Sequence, residues 1–344
     1  MDSAKSIKFS IIIPLYNKEQ LIAETIESVL NQSYDNWELI IVDDESTDSS
    51  ASIAKEYAKK NAKVHVVSQK NGGAYKARIT GLKVATGDYV LCIDGDDVMR
   101  NDYLAKVYDC IVKSEPDMVL CQFSREPDLS KQEPDYTSIM SAENPCAELR
   151  NSLLRGDNFN STYVKTVKRS VLDLNDIFIT DPVNYAPLGE DKLLILFYMD
   201  GVKTLSVVNE PLYYFRQRQG CSYYVPLTDY VTCGFDKIYL LENSMLHYAT
   251  KWYGADEGKR ILTGFYRNQM LLQIYRALID SPILKRVKGN FEYIKSLEAY
   301  KQSLKYYPDA FKEWKLRDFY NGHYLKLYAW RIAYKAYSKV RKNK

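Results

Sequence analysis

Three clusters of carboxylates stand where apolar runs end, and acids so placed either hold cations or move protons. Asp94-Gly-Asp-Asp97 follows the apolar run Tyr89–Ile93. Adjacent carboxylates repel, so a neutralising cation is favourable there. Such oxygen ligands suit Mg2+ or Mn2+, which take one or two carboxylates and complete their shell with substrate phosphates. The spacing does not fit an EF-hand loop. The same residues also suit an Asx turn capping the next helix. Asp43-Asp44-Glu45-Ser46-Thr47-Asp48 ends the run Trp37–Val42. It offers acceptors for a nucleobase N–H or ribose hydroxyls, or a capped helix start at Ser46 or Thr47. Gly189-Glu190-Asp191 precedes an amphipathic helix. A carboxylate there is stabilised by the helix dipole and acts as a general base if it faces a cleft. Simple capping is the alternative. Tyr213-Tyr-Phe-Arg-Gln-Arg218, running on to Ser222, sets two guanidinium groups beside a strand end. Their planar forks match phosphate, or form a plain surface pair.

These clusters need a scaffold, and the hydropathy pattern supplies one. Strands are expected at Phe9–Ile13 (ended by Pro14), Trp37–Val42, Val64–Val67, Tyr89–Ile93 and Met118–Phe123. Helices with 3.6-residue apolar spacing are expected between them, at 19–30, 46–60, 73–85 and 101–113. Apolar strands alternating with helices predict an α/β fold: a mostly parallel sheet with helices on both faces. In such sheets ligands bind beyond the carboxyl ends of the strands, so Pro14–Lys18, Asp43–Asp48 and Asp94–Asp97 should converge on one crevice. Residues 126–160, with Pro127, Pro134 and Pro145, read as an irregular insertion with a short helix at 147–154. A strand at 162–167, a helix from Asp191, and strands at 202–208 and 212–215 follow. From about Asp229 the pattern is helical, interrupted at Gly254, Pro282, Gly289 and Pro308.

Composition narrows the classes. The chain has 344 residues and a net charge of +3. That small sum hides an asymmetry. Residues 285–344 carry 16 Lys+Arg against 5 Asp+Glu, or +11, leaving −8 for residues 1–284. Nine of the 30 Tyr fall in the same 60 residues. Six Cys (92, 110, 121, 146, 221, 233) form no C-x-x-C pair and read as reduced thiols of a cytoplasmic protein. Met1–Lys8 lacks the apolar stretch of a secretory signal, and no run is long enough to span a bilayer. Three scattered His argue against a multi-His metal site or a His-based triad.

Taken together, these residues resemble family 2 of the inverting glycosyltransferases, which have the GT-A fold. The resemblance runs through Phe9-Ser-Ile-Ile-Ile-Pro-Leu-Tyr-Asn17, Ile26–Tyr34, Trp37–Asp48, Asn71-Gly-Gly with Ala77-Arg78 and Gly81, and Ala85–Asp97. It continues more loosely in Gly189-Glu-Asp191 and Pro211–Arg216 with Ser222. It is close over 9–125, looser over 160–222, and absent beyond about 230. It implies that Pro14 and Tyr16 line a base pocket, and that Asp44, supported by Asp43, binds the nucleobase, expected to be uracil. Arg78 would lie near base or ribose. Asp94 and Asp96 would be the D-x-D pair near ribose and diphosphate, and Asp96 or Asp97 would hold Mg2+ or Mn2+. Asp191 would be the catalytic base, and Arg216 would contact the diphosphate. Glu45 departs from the family, which more often has Gly or Asn there.

The implied activity is metal-dependent, inverting transfer of a hexosyl or N-acetylhexosaminyl group from a nucleoside diphosphate sugar to a hydroxyl of a glycan or lipid-linked acceptor, as in polysaccharide biosynthesis. The implied layout is a nucleotide-sugar half over 1–125, an acceptor and catalytic-base half over 126–225, and a helical region over 226–344. The alternatives are a nucleotide-sugar-binding module without turnover and a sugar nucleotidyltransferase. The latter would want a Gly-rich phosphate loop where Pro14-Leu-Tyr-Asn17 stands, and no G-x-G-x-x-G opens the first helix as a dehydrogenase would require. Nucleic acid is not an expected partner; a homodimer is an open one. Residues 323–344 hold seven Lys/Arg and no acid. Arg331, Lys335, Lys339 and Lys342 share one helical stripe, and Leu325, Tyr328, Ile332, Ala336 and Val340 lie beside it. That pattern suits docking at an anionic membrane on its cytoplasmic face, or packing on protein.

Overall fold

The computed structural model describes residues 6–156, 159–175, 190–217, 241, 243–265, 284–296, 300–301, 304–305 and 307–342. The chain forms two units: residues 1–153 with 158–219, and residues 154–157 with 220–344. The expected α/β class is observed in the first.

Eight strands make one sheet in the order β3-β2-β1-β4-β7-β6-β8-β5. They are β1 (Phe9–Leu15), β2 (Trp37–Asp43), β3 (Val64–Ser68), β4 (Tyr89–Cys92), β5 (Val98–Met99), β6 (Met118–Ser124), β7 (Lys165–Lys168) and β8 (Leu205–Tyr214). The pairs β1–β2, β2–β3, β1–β4 and β6–β8 are parallel, while β7 runs antiparallel to β4 and β6, and β5 to β8. β2 is buried along its whole length, as expected of a strand covered on both faces. The helices are α1 (Ile22–Leu30), α2 (Ser50–Lys60), α3 (Gly73–Val84), α4 (Tyr103–Ser114), α5 (Thr137–Met140), α6 (Pro145–Arg155) and α7 (Glu190–Gly201). α1 buries Ile22, Thr25, Ile26 and Val29, the i, i+3, i+4, i+7 stripe of a helix lying on a core. α3 lies close on β1 because Gly81 has no side chain. A Cβ there would stand 2.4 Å from Ile12 Cγ2.

The differences from expectation have local causes. The two strands expected at 202–208 and 212–215 are one strand, β8. Pro211 cannot donate a ladder hydrogen bond, and the register against β6 shifts around Gln122, opposite Pro211. The insertion contains two helices, and Pro145 opens the second, where a missing N–H costs nothing. Gly289 lies inside the helix Leu284–Ser296 and does not interrupt it. Gly254, at φ +80°, does separate helical residues 243–253 from 255–265. Pro282 and the expected helix start near Asp229 lie outside the described residues.

One buried acid ties the parallel half together. Glu38, the second residue of β2, is 6% exposed. Its carboxylate accepts from Ser10 Oγ (2.6 Å), Thr86 N (2.7 Å) and Lys8 Nζ (2.7 Å). Burial resists its ionisation, but these donors outweigh burial and hold its pKa at about 2.

In the second unit, Glu313 caps the helix Trp314–Tyr320 by accepting from Lys315 N and Leu316 N. Phe291 meets Phe319 edge-on at 5.0 Å, and Tyr300 packs on Phe311 and Phe319. Asp318 pairs with Lys326 (2.7 Å) and His323 (3.1 Å). In the last helix, Tyr324–Lys342, Arg331 of the basic stripe is 7% exposed, whereas Leu325 and Ile332 of the apolar one are 70% and 57% exposed. Leu327, four residues before Arg331 and fully buried, marks the inward side. Among the described residues no helix is long and apolar enough to cross a membrane, and Cys92, Cys110, Cys121 and Cys146 are free thiols. Cys221 and Cys233 lie outside the described residues.

Glu38→Gln should destabilise the protein by about 2 kcal/mol at pH 7. A depressed carboxylate pKa contributes stability above the unfolded value near 4.5, and that contribution fades as pH falls towards 2. Urea melts of both proteins at pH 7 and pH 3 should therefore show the larger difference at pH 7 and a clearly reduced one at pH 3, where part of the contribution persists because the folded carboxylate is still mostly ionised.

Candidate functional site

The carboxyl ends of β1, β2 and β4 and the starts of α3 and α7 supply the site. Pro14 lies in β1 opposite Val42, and Tyr16, just beyond the strand, is 46% exposed. The loop after β1 is zipped to the loop after β2. Asn17 Oδ1 accepts from Thr47 N at 2.9 Å, and Lys18 N donates to Ser50 Oγ at 2.6 Å. Asp43 accepts from Ser46 N at 3.1 Å, which holds the turn after β2. Asp44 is 3% exposed and caps α3 across the chain, accepting from Gly72 N (2.9 Å), Gly73 N (2.8 Å) and Gln69 Nε2 (2.7 Å). Glu45 sits at φ +63°, which explains why Gly or Asn suits that position better. Its carboxylate accepts from Asn71 N at 3.1 Å.

The centre of the site is Arg78. It lies on the buried side of α3 with 2% exposure. Its Nη2 donates to Asp94 Oδ1 at 2.7 Å, and its Nη1 stands 2.9 Å from Asp191 Oδ1 and 3.9 Å from Glu190 Oε1. One guanidinium thus joins the end of β4 to the start of α7. Burial works against its charge, but Asp191, Asp94 and Glu190 together raise its pKa well above the usual arginine value. Burial raises the pKa of Asp191, and Asp94 adds to the rise against the pull of Arg78. Burial likewise pushes Glu190 to about 7. Asp191 nevertheless keeps 33% of its side chain exposed, so it can meet a substrate.

The acids after β4 are not equivalent. Asp97 is 1% exposed, with Oδ2 accepting from Tyr213 Oη (2.9 Å) and Oδ1 from Arg216 N (2.9 Å). Tyr213 Oη in turn accepts from Asp94 N at 3.1 Å, and its ring stacks on Tyr163 at 4.6 Å. Asp96 instead pairs with the ammonium of Lys18 at 2.6 Å. The Arg216 guanidinium pairs with Glu24 at 2.6 Å, over the face of Tyr214. Arg218, Ser222 and Gly189 lie outside the described residues. Among those described, no group of three or more His, Cys, Asp or Glu is arranged to hold a metal by itself. A divalent cation bound mainly by substrate phosphates needs only one or two carboxylates. Asp96 fits that role, since it already attracts a cation. Asp97 does not fit, because both its oxygens are engaged behind the surface. Sequence reasoning placed Lys18 and Tyr213 in segments it singled out but gave neither a role. Lys18 directly follows Pro14-Leu-Tyr-Asn17, but nothing local announces its partner.

Residues 10–174 match the profile of glycosyl transferase family 2. This segment belongs to that family. EpsJ of Bacillus subtilis, named an uncharacterized glycosyltransferase, is 39% identical over 117 residues, covering 34% of each chain. The glycosyltransferase GlyG of Streptococcus pneumoniae is 26% identical over 223 residues, or 61% of this chain and 71% of GlyG. Staphylococcus aureus TarS, a poly(ribitol-phosphate) beta-N-acetylglucosaminyltransferase, is 29% identical over 216 residues, or 62% of this chain and 36% of TarS. The chain thus spans about a third of the length of EpsJ and TarS. Two crystal structures of TarS 1–349, the second in complex with UDP-GlcNAc, have TM-scores of 0.57 and 0.58 at 21% and 23% identity. They cover 85% and 84% of this chain and 81% of TarS 1–349 in each case. The family 2 segment therefore has the GT-A fold that the sequence predicts.

Arg78→Met should leave Asp94, Asp191 and Glu190 without their shared cation, at a cost of roughly 3–5 kcal/mol. The deficit should shrink between pH 8 and pH 5, because the orphaned carboxylates relieve it by taking up protons. Denaturant melts across that range measure both effects, and a pH-independent deficit would contradict the assignment.

Proposed function

We propose that the chain is a metal-dependent, inverting glycosyltransferase that moves a sugar from a nucleoside diphosphate sugar, with uridine as its nucleoside, to a hydroxyl of a glycan or lipid-linked acceptor. One observation carries this reading. Asp191, a partly exposed carboxylate at a helix start, shares the buried Arg78 with the first acid of Asp94-Gly-Asp-Asp97. A donor-holding segment and a proton acceptor are thereby held at one cleft. TarS, by name an N-acetylglucosaminyltransferase and crystallised with UDP-GlcNAc, supports a UDP-linked hexosamine or hexose as donor.

In this reading residues 1–125 hold the donor, 126–225 hold the acceptor and supply the base, and 226–344 form a separate helical region. Pro14, Tyr16, Asp43 and Asp44 surround the base. Asp44 acts through its hydrogen-bonded oxygens and the α3 start that it orders. Asp94 lies at the ribose. Asp96 would hold Mg2+ or Mn2+; when bound, the ion supplies positive charge to the departing diphosphate. Asp97 positions Tyr213 and the Arg216 backbone and does not ligate the ion. Lys18 and Arg216, each now paired with an acid, are the cations that can turn to the diphosphate. Asp191 takes the proton of the attacking hydroxyl as the bond from acceptor oxygen to C1 forms and the bond from C1 to diphosphate oxygen breaks. One displacement opposite the leaving group inverts C1, so no second, nucleophilic carboxylate is needed.

Asp191→Asn should lower kcat for nucleoside diphosphate release roughly a thousandfold while leaving UDP affinity within about threefold. Asp96→Asn should abolish the gain in UDP affinity that Mn2+ confers, by calorimetry. Because the base must be ionised and its pKa is raised, kcat should climb with pH through a limb above the ordinary aspartate range near ~4. Metal-dependent UDP binding with no release from any sugar nucleotide would leave only a binding module.

A further inference from the structure

Seven large hydrophobic residues are well exposed among the described residues, and four of them fall within one short stretch: Trp314, Tyr320, Leu325 and Ile332. The last helix explains the concentration. Its exposed positions include Leu325, Ala329, Ile332 and Ala333, while Leu327 and Arg331 face inward. A helix on a protein surface ordinarily turns large apolar residues such as Leu325 and Ile332 inward, as this one does Leu327. In sequence the same spacing continues to Ala336 and Val340. An outward apolar face of this kind marks an interaction site.

We propose that this face docks on an anionic lipid surface. Charge decides the occupant. The helix Tyr324–Lys342 carries six basic residues (Lys326, Arg331, Lys335, Lys339, Arg341 and Lys342) and no acid. A second copy would set another wholly basic helix against it, which is repulsive. A nucleic acid would satisfy the charge but leave Leu325 and Ile332 in water. Anionic lipid accepts both features: apolar side chains enter the acyl boundary while lysines remain among the phosphates. The margin of the face has that composition. Trp314 meets Trp330 edge-on at 6.2 Å, Lys315 Nζ lies 4.3 Å from the Trp330 ring centre, and Lys326 Nζ lies 5.6 Å from that of Trp314. Aromatic rings with lysines over them belong at headgroup depth. The inference concerns the second unit alone and does not depend on the proposed transfer reaction.

The test uses the full chain and vesicles of phosphatidylcholine with or without about 30% phosphatidylglycerol, at roughly 0.1 M salt, read by cosedimentation and tryptophan emission. Wild-type protein should bind the anionic vesicles at least about tenfold more tightly than the neutral ones, with a blue-shifted emission, and should be released at about 0.5 M salt. The double variant Leu325→Glu/Ile332→Glu changes exposed side chains only, and its melting curve checks the fold. It should bind at least about tenfold more weakly. Wild-type protein that ignores anionic vesicles, or a variant that binds them equally, would overturn the proposal. So would a wild-type dimer, seen by sedimentation velocity, that the double variant dissociates while neither protein binds vesicles; that result would assign the face to a second copy.

Discussion

A guanidinium with 2% exposure among three carboxylates is the interaction on which the first unit's site depends. An isolated buried arginine is prohibitively costly, and so is a cluster of acids at one strand end; each is tolerable only because of the other. The positions of α3, the end of β4 and the start of α7 are therefore mutually conditional. Arg78 shares the buried side of α3 with Ala77, Gly81 and Leu82, and the missing side chain of Gly81 lets that helix settle on β1. A packing detail at Ile12 thereby sets how near the guanidinium comes to the ends of the parallel strands.

A second constraint sorts the three aspartates after β4. The amide of Asp94 donates to Tyr213, Tyr213 donates to Asp97, and the Arg216 amide donates to the other oxygen of Asp97. This chain of hydrogen bonds joins the acidic turn to the end of β8, with the Tyr213 ring stacked against Tyr163 beneath it. Asp97 is consumed by the architecture, and burial pushes its pKa to about 8. Asp94 and Asp96 are left to face charged partners. The chemical difference between neighbouring identical residues comes from what lies behind each one.

The parts of this arrangement that were legible in the sequence are those that repeat. Apolar runs such as Trp37–Val42 and the stripe Ile22, Ile26, Val29 announce a covered strand and an amphipathic helix, because burial imposes a period on side chains. The carboxylate clusters announce themselves because acids at strand ends are conspicuous. What could not be read is pairwise. Nothing near Arg78 says that its partners are Asp94 and Asp191, and nothing near Lys18 points to Asp96. Asp96 and Asp97 are indistinguishable until Tyr213 arrives from another strand. Two expected strands become one because a register shift absorbs Pro211. The last helix is ambiguous for a similar reason: its two stripes are visible, but only the packing of Leu327 and Arg331 decides which side turns inward.

If the cleft takes a diphosphate as proposed, its lining of acids needs a physical reason. The answer lies in how the cations are stored. Lys18 rests on Asp96 and Arg216 on Glu24, both in pairs that keep some contact with solvent. Such pairs are cheap to open, because water and salt screen them. Arg78, enclosed and shared by three acids, is not. In the proposed reading, Lys18 and Arg216 would turn to the diphosphate oxygens and Asp96 would be left to hold the divalent ion, whose charge would offset that of the diphosphate. Arg78, buried among its acids, has no such exposed pair to open. On that reading the charge pattern would change where the donor binds, while Asp191, tied to the buried Arg78, would keep its place for the acceptor hydroxyl, as a single in-line displacement requires of its base.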